Sequence, residues 1–259
     1  MKNIPNIFTL FNLFFGCLAI AYALQLDVSF LYELDGRPIM QSIQSSLWMA
    51  SLFIAIAGVI DFLDGFLARL MKVSSEMGKQ LDSLSDVVSF GVAPGIILYQ
   101  VLRLAVMKES EAVEMSSVWT YAAFAIPCFA AWRLAKFNLD TRQQYGFRGV
   151  PTPAVGLLIA SFPLILYHNY FDGAINNLLL NKWVIYLIIA LLCYLMVCDI
   201  PILSLKFRDF SLKNNMTKII LLIVAVVAAI TLKWLAVPVV FIIYIILSLA
   251  ARPRSPDPS

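Results

Sequence analysis

The chain reads Asp61-Phe-Leu-Asp64-Gly65-Phe-Leu-Ala68-Arg69 and, eight residues later, Gly78-Lys-Gln-Leu-Asp82-Ser-Leu-Ser-Asp86. Apolar residues run up to this stretch and resume after it. An ionised carboxylate is costly to place near hydrocarbon, so aspartates within a membrane segment mark a functional site by default. Four of them at helical spacing indicate that something cationic is held between them.

The composition is that of a membrane protein. Hydrophobic residues make up 61% of the chain and charged residues only 14%, which is far from the average of soluble proteins. Helices satisfy their own backbone hydrogen bonds in lipid, so the fold class predicted is all-α and integral to the membrane. The expected surroundings are the lipid bilayer, and no nucleic-acid partner is expected.

Eight stretches approach the roughly 20 apolar residues that one crossing of a bilayer needs. They are about Ile7–Leu26, Leu47–Leu70, Leu81–Val106, Trp119–Phe137, Pro153–Tyr167, Trp183–Cys198, Met216–Leu232 and Leu235–Leu249. The last two are predicted to be separate helices with a tight connection at Lys233 and Trp234, because together they are too long for one crossing. We expect a six-helix core over residues 1–199, two additional helices over 200–250 and a disordered, proline-rich tail over 251–259.

The basic residues predict the orientation. With eight spans and both termini on one side, 14 of the 19 lysines and arginines fall on that side and five on the other. Lysine and arginine concentrate in short cytoplasmic loops. Both termini and the aspartate stretch are therefore expected to face the cytoplasm.

The aspartates are spaced to share helix faces, because residues three or four apart lie on one side of a helix. Asp61 and Asp64 fall on one stripe of the second span, and Asp82 and Asp86 on one stripe of the third. If the two helices are antiparallel neighbours, four carboxylates converge and repel one another unless cations neutralise them or some of the acids are protonated. Oxygen ligands of this kind suit Mg²⁺ or Mn²⁺, and two such ions can hold the oxygens of a phosphoryl group. The alternative is that the acids form ion pairs with neighbouring basic residues at the membrane surface.

The complete pattern, Asp-x-x-Asp-Gly-x-x-Ala-Arg-x8-Gly-x3-Asp-x3-Asp, resembles the signature of the CDP-alcohol phosphatidyltransferases at every fixed position. The resemblance implies two divalent ions, Mg²⁺ or Mn²⁺, held around the diphosphate of a CDP-linked lipid by Asp61, Asp64, Asp82 and Asp86. It implies that Asp86 also serves as general base. It further implies that the CDP-lipid is bound by Thr9, Asn12, Gly65, Ala68, Arg69 and Gly78.

Other segments are similar to one branch of that family, the membrane-embedded CDP-diacylglycerol–serine O-phosphatidyltransferases. These segments are 4–16, 86–94, 133–138 and 147–154. The resemblance implies a homodimer that transfers a phosphatidyl group from CDP-diacylglycerol to L-serine, giving phosphatidylserine and CMP in phospholipid biosynthesis. The expected acceptor-binding residues are Arg133, Asn138 and Arg148, since a guanidinium pairs well with a carboxylate. For each of them the alternative is an interfacial residue that serves only topology.

Two other functions remain open from the sequence. The same chemistry with glycerol 3-phosphate or inositol phosphate as acceptor would want a denser cationic pocket. A divalent-cation or proton-coupled transporter also needs buried acids, but transport sites tend to lie near the membrane midplane. The acids here are expected near one face, which favours the transferase.

Overall fold

The computed structural model describes residues 4–25, 40–71, 75–107, 117–139, 147–168, 173–202 and 216–250. Lys72, Arg142 and the tail 251–259 lie outside these residues. The described part confirms the predicted all-α fold. Its α-helices are α1 (Ile4–Leu24), α2 (Met40–Leu70), α3 (Glu76–Val87), α4 (Ala93–Met107), α5 (Ala125–Leu139), α6 (Thr152–His168), α7 (Ala174–Leu179), α8 (Lys182–Val197), α9 (Met216–Leu232) and α10 (Ala236–Ala250).

Each predicted span corresponds to helical structure. The third span is one continuous helix, because a π-helical segment, Val88–Val92, joins α3 to α4. The fourth begins as a 3-10 helix, Ser117–Phe124, and continues as α5. Among the described residues, four stretches are long and apolar enough to cross a membrane: Asn6–Leu24, Ser46–Leu70, Glu76–Val106 and Lys218–Ala250.

The last of these stretches is a helical hairpin. A 3-10 turn, Lys233–Leu235, separates α9 from α10, and Lys233 has a φ of 52°. A positive φ of this kind interrupts a right-handed helix. The two helices pack against each other, as the predicted tight connection requires.

The helices are held together by a core of small and branched apolar residues, with larger apolar side chains exposed outside. Helix α1 packs on α2, α3 and the π-helical segment, while α6 packs on α2 and α4. Close approach is visible at Gly16, where an added Cβ would collide with Ser89. Exposed outward-facing residues such as Phe14, Val59 and Leu187 suit contact with lipid.

Two short connections meet at the end of the bundle where α5 ends and α6 begins. The two-residue strands β1 (Phe147–Arg148) and β2 (Pro201–Ile202) pair antiparallel, with Arg148 opposite Pro201. The ion pair between Lys136 Nζ and Asp199 Oδ1, at 2.9 Å, lies beside this pairing. The ion pair therefore links the segment that follows α8 to the last turns of α5.

Candidate active site

Polar residues from several helices converge at one end of the bundle. Helix α2 contributes from its last turns, and α3 contributes from its middle, at Asp82, to its last turn, at Asp86. Helix α1 contributes from its first half and α5 from its second half. Helix α3 begins after Ser75, which caps it by accepting a hydrogen bond from the Gly78 N–H at 2.9 Å. This start fixes where Asp82 and Asp86 fall along the helix.

Three of the four predicted carboxylates lie close together. Asp61, Asp64 and Asp82 each offer an oxygen within 4.8 Å of the others. Asp64 is buried, whereas Asp61 and Asp82 are half-buried. Carboxylates at this separation repel one another, and a divalent cation between them would remove the repulsion. The donor set therefore fits a hard metal ion.

Asp86 lies one helical turn beyond Asp82 and outside this group of three. It is 7% exposed and accepts a hydrogen bond from Asn12 Nδ2 at 3.3 Å. It also lies in electrostatic range of Asp61, Asp64 and Asp82. Its position, beside the cluster but bonded to α1, suits a group that acts on a substrate bound at the cluster.

Helix α1 supplies hydrogen-bonding partners for the acids. Thr9 Oγ1 donates to Asp64 Oδ2 at 2.8 Å, which fixes the orientation of that carboxylate. Asn12 is fully buried, and its Oδ1 has no partner among the described residues. An unpaired buried acceptor is costly, so this oxygen is well suited to a ligand that enters the site.

The small residues of the motif have different surroundings. A Cβ added at Gly65 would meet nothing within 4 Å, so open space lies beside the acids there. A Cβ added at Gly78 would lie 3.0 Å from both Asn6 Oδ1 and Ser75 Oγ. Gly78 therefore lets the start of α3 pack closely on α1. Ala68 is half-buried and Arg69 is exposed at the end of α2.

Arg133 lies deeper than Asn138, the other predicted acceptor-binding residue whose side chain is described. It is 7% exposed, and one of its terminal nitrogens donates to Thr152 Oγ1 at 3.1 Å. Its Nε has no partner among the described residues, and the guanidinium lies in electrostatic range of Asp86. The site therefore includes a buried cation that interacts electrostatically with Asp86.

The other two differ from Arg133. Asn138 Nδ2 donates to Ser83 Oγ at 2.8 Å, so Asn138 joins α5 to α3. Arg148 lies on β1, and its side chain is outside the described part of the structure.

Sequence reasoning missed several residues that shape this region. Ser89 donates to the Asn12 carbonyl at 3.0 Å from within the π-helical segment. Ser85 is fully buried, and its hydroxyl has no partner in the described ranges. Thr152 contacts Arg133 from the start of α6. Ser89 and Thr152 lie in segments 86–94 and 147–154, which resemble the serine branch of the family, but the sequence indicated no role for either residue.

Comparisons with known proteins agree with the site. The family model of the CDP-alcohol phosphatidyltransferases matches residues 2–197. The chain is 32% identical over 214 residues to a CDP-diacylglycerol–serine O-phosphatidyltransferase of Helicobacter pylori, covering 81% of this chain and 75% of the relative. It is also 32% identical to the enzyme of the same name from Bacillus subtilis, over 64% of this chain and 81% of the relative. An archaetidylserine synthase of Methanothermobacter thermautotrophicus is 34% identical over 52% of this chain and 55% of its own length.

Proposed function

Because the chain belongs to the CDP-alcohol phosphatidyltransferase family, we propose that it transfers a phosphatidyl group from CDP-diacylglycerol to L-serine. The products are phosphatidylserine and CMP, so the protein is a membrane transferase of phospholipid biosynthesis. The observation that carries the proposal is the carboxylate cluster of Asp61, Asp64 and Asp82 beside the buried Asp86. The family match spans all four residues.

Divalent metal dependence is general in this family, and the acidic cluster fits it. Asp61, Asp64 and Asp82 would hold Mg²⁺ or Mn²⁺, and we propose that Asp86 contributes to a second ion. When bound, such ions neutralise the diphosphate of CDP-diacylglycerol and stabilise the departing CMP. Thr9 supports the set by holding Asp64 in place.

The transfer step uses Asp86 as general base. Its carboxylate takes the proton of the serine hydroxyl, and the hydroxyl oxygen attacks the β-phosphorus of CDP-diacylglycerol. The bond from that phosphorus to the bridging oxygen breaks, and this oxygen leaves as part of CMP. Asn12 keeps Asp86 oriented through its 3.3 Å hydrogen bond.

The remaining site residues bind the two substrates. The open space beside Gly65 gives the nucleotide room, and Ala68 and Arg69 follow on the same helix. Gly78 contributes through the close packing of α3 on α1. We assign Arg133 to the serine carboxylate, with Asn138 and Arg148 at the same end of the bundle.

The division of the chain, its orientation in the membrane and its oligomeric state are also proposals. We propose a catalytic core over residues 1–199 with the α9–α10 hairpin added over 200–250. We propose that the active site and both termini face the cytoplasm, where serine is available, and that the protein is a homodimer. The excess of basic residues at the site's end of the spans supports this orientation.

The function is tested with purified protein, CDP-diacylglycerol and a panel of acceptors, measuring CMP release. The panel is L-serine, glycerol 3-phosphate and inositol phosphate. We expect release with serine and only background release with the two phosphates. Release with a phosphate acceptor and none with serine would refute serine as the acceptor while keeping the family chemistry.

A further inference from the structure

Helix α10 is apolar apart from two buried residues, Tyr244 and Ser248. Tyr244 is 7% exposed, whereas Ile242 and Ile246 on the same helix are 56% and 58% exposed. Tyr244 therefore points into the bundle while its neighbours face outward. The helix lies beyond residue 197, where the match to the family model ends.

The packing of α10 brings Tyr244 to the end of the bundle where the carboxylates lie. Helix α10 contacts α6 and also β2. Strand β2 pairs with β1, and the preceding Asp199 is paired with Lys136 at the end of α5. The C-terminal hairpin is thus anchored to the two connections that flank Arg133 and Thr152.

Tyr244 and Arg133 lie within electrostatic range of each other. Arg133 lies in electrostatic range of both Tyr244 and Asp86, so the phenol and the proposed base act on the same guanidinium. Arg133 is bonded to Thr152 through one terminal nitrogen, while its buried Nε has no partner in the described ranges. A buried donor of this kind is expected to be satisfied by a ligand.

The charge at this place indicates the kind of ligand. Within the part of the chain that the structure describes, Arg133 is the one cation classed as buried. One guanidinium balances a single negative charge and matches the two oxygens of a carboxylate. A phosphate ester carries more charge than the Arg133 guanidinium alone would balance.

We propose that Tyr244 completes, together with Arg133, the site that binds the carboxylate of the acceptor. The phenol hydroxyl donates a hydrogen bond to one carboxylate oxygen, Arg133 binds the carboxylate, and the acceptor hydroxyl is left directed at Asp86. This inference rests on the proposed function, and it gives the C-terminal hairpin a role in choosing an amino-acid acceptor over a phosphorylated one.

The test compares Tyr244→Phe with Tyr194→Phe in steady-state assays of CMP release. Tyr194 lies on α8 and is 63% exposed, so its variant controls for the loss of a tyrosine hydroxyl. Loss of a hydrogen bond to a charged group should raise the KM for serine about tenfold in Tyr244→Phe. The KM for CDP-diacylglycerol and the melting temperature should stay at the wild-type values, and Tyr194→Phe should change neither KM.

The other outcomes separate failure of this inference from failure of the proposed function. An unchanged serine KM in Tyr244→Phe would overturn the inference while leaving the proposed function intact. Equal losses for both substrates with a lowered melting temperature would show a purely structural role and would also overturn it. A wild-type protein that releases no CMP with serine would instead refute the proposed function, and the inference with it.

Discussion

At the scale of single residues, Asp64 and Asp86 have different surroundings, so their substitutions should have different effects on lipid binding and turnover. Asp64 belongs to the group of three carboxylates, whereas Asp86 is bonded to Asn12 beside them. Asp64→Asn removes a metal ligand charge and should weaken metal-dependent binding of CDP-diacylglycerol together with turnover. Asp86→Asn removes the proposed base, so turnover should fall by about 10²–10⁴-fold while more of the lipid affinity survives.

Both variants are nearly isosteric with aspartate, so the packing should persist. Binding of CDP-diacylglycerol and serine-dependent CMP release are measured for each purified protein. Near-normal release from Asp86→Asn would show that another group takes the proton.

The hydrogen bond from Thr9 to Asp64 gives a second test at this scale. Thr9→Val keeps the shape of the side chain but removes the donor to Asp64 Oδ2. Loss of such a supporting hydrogen bond typically weakens metal binding by about 10–100-fold. The metal concentration for half-maximal activity should therefore rise, while activity at saturating metal largely recovers.

Thr231→Val is the matched control for this change. Thr231 is exposed on α9, and its hydroxyl bonds only within its own helix, to the Val227 and Ala228 carbonyls, among the contacts described. Its variant should leave the metal requirement unchanged. An equal rise in the metal concentration for half-maximal activity in both variants would show that Thr9 does not support metal binding.

At the scale of helices, the close contact between α1 and the π-helical segment positions the residues that bond the acids. An added Cβ at Gly16 would lie 2.9 Å from the Ser89 Cα, which is backbone and cannot swing away. Gly16→Ala should therefore destabilise the protein by about 1–3 kcal/mol through overpacking. It should also lower activity, because α1 carries Thr9 and Asn12.

The comparison variant is Gly58→Ala, where the nearest contact of a new Cβ is a Leu157 side-chain carbon at 3.6 Å. That contact is ordinary, so this variant should stay close to wild type. Thermal unfolding in detergent and CMP release provide the measurements. Equal stability of the two variants would contradict the tight packing of α1 on the π-helical segment.

Much at this scale follows from the sequence, because hydropathy and spacing are local properties. The long apolar runs predicted the helices, and the separation of Asp61 from Asp64 and of Asp82 from Asp86 predicted shared faces. The π-helical segment was not predictable, since it depends on how Ser89 and Gly16 pack between two helices. The β1–β2 pairing likewise depends on contacts between distant residues.

At the scale of the whole molecule, the site is an assembly of groups that are far apart in sequence. Thr9, Asp64, Asp86 and Arg133 come from four helices, and Tyr244 from a fifth. The sequence motif could mark the aspartates because they are adjacent on two helices. The sequence around Tyr244 gives no indication that this residue belongs to the site, because only the packing of α10 on α6 and β2 brings it inward.

The orientation in the membrane is a property of the whole chain and can be tested chemically. In a variant without its native cysteines, Glu76→Cys lies at the site's end of α3 and Ala174→Cys lies at the start of α7. With the site facing the cytoplasm, an impermeant thiol reagent should label Ala174→Cys in intact cells. It should label Glu76→Cys only after permeabilisation, and the opposite pattern would refute the proposed topology.

The central claim is that a carboxylate cluster within the membrane protein holds divalent ions for phosphatidyl transfer. Its most direct test is serine-dependent CMP release by the purified protein before and after treatment with excess chelator. Ionised carboxylates within 4.8 Å of one another repel unless a cation lies between them, and the proposed transfer uses that cation, so chelation should abolish turnover and added Mg²⁺ or Mn²⁺ should restore it. Undiminished turnover in excess chelator would contradict the account.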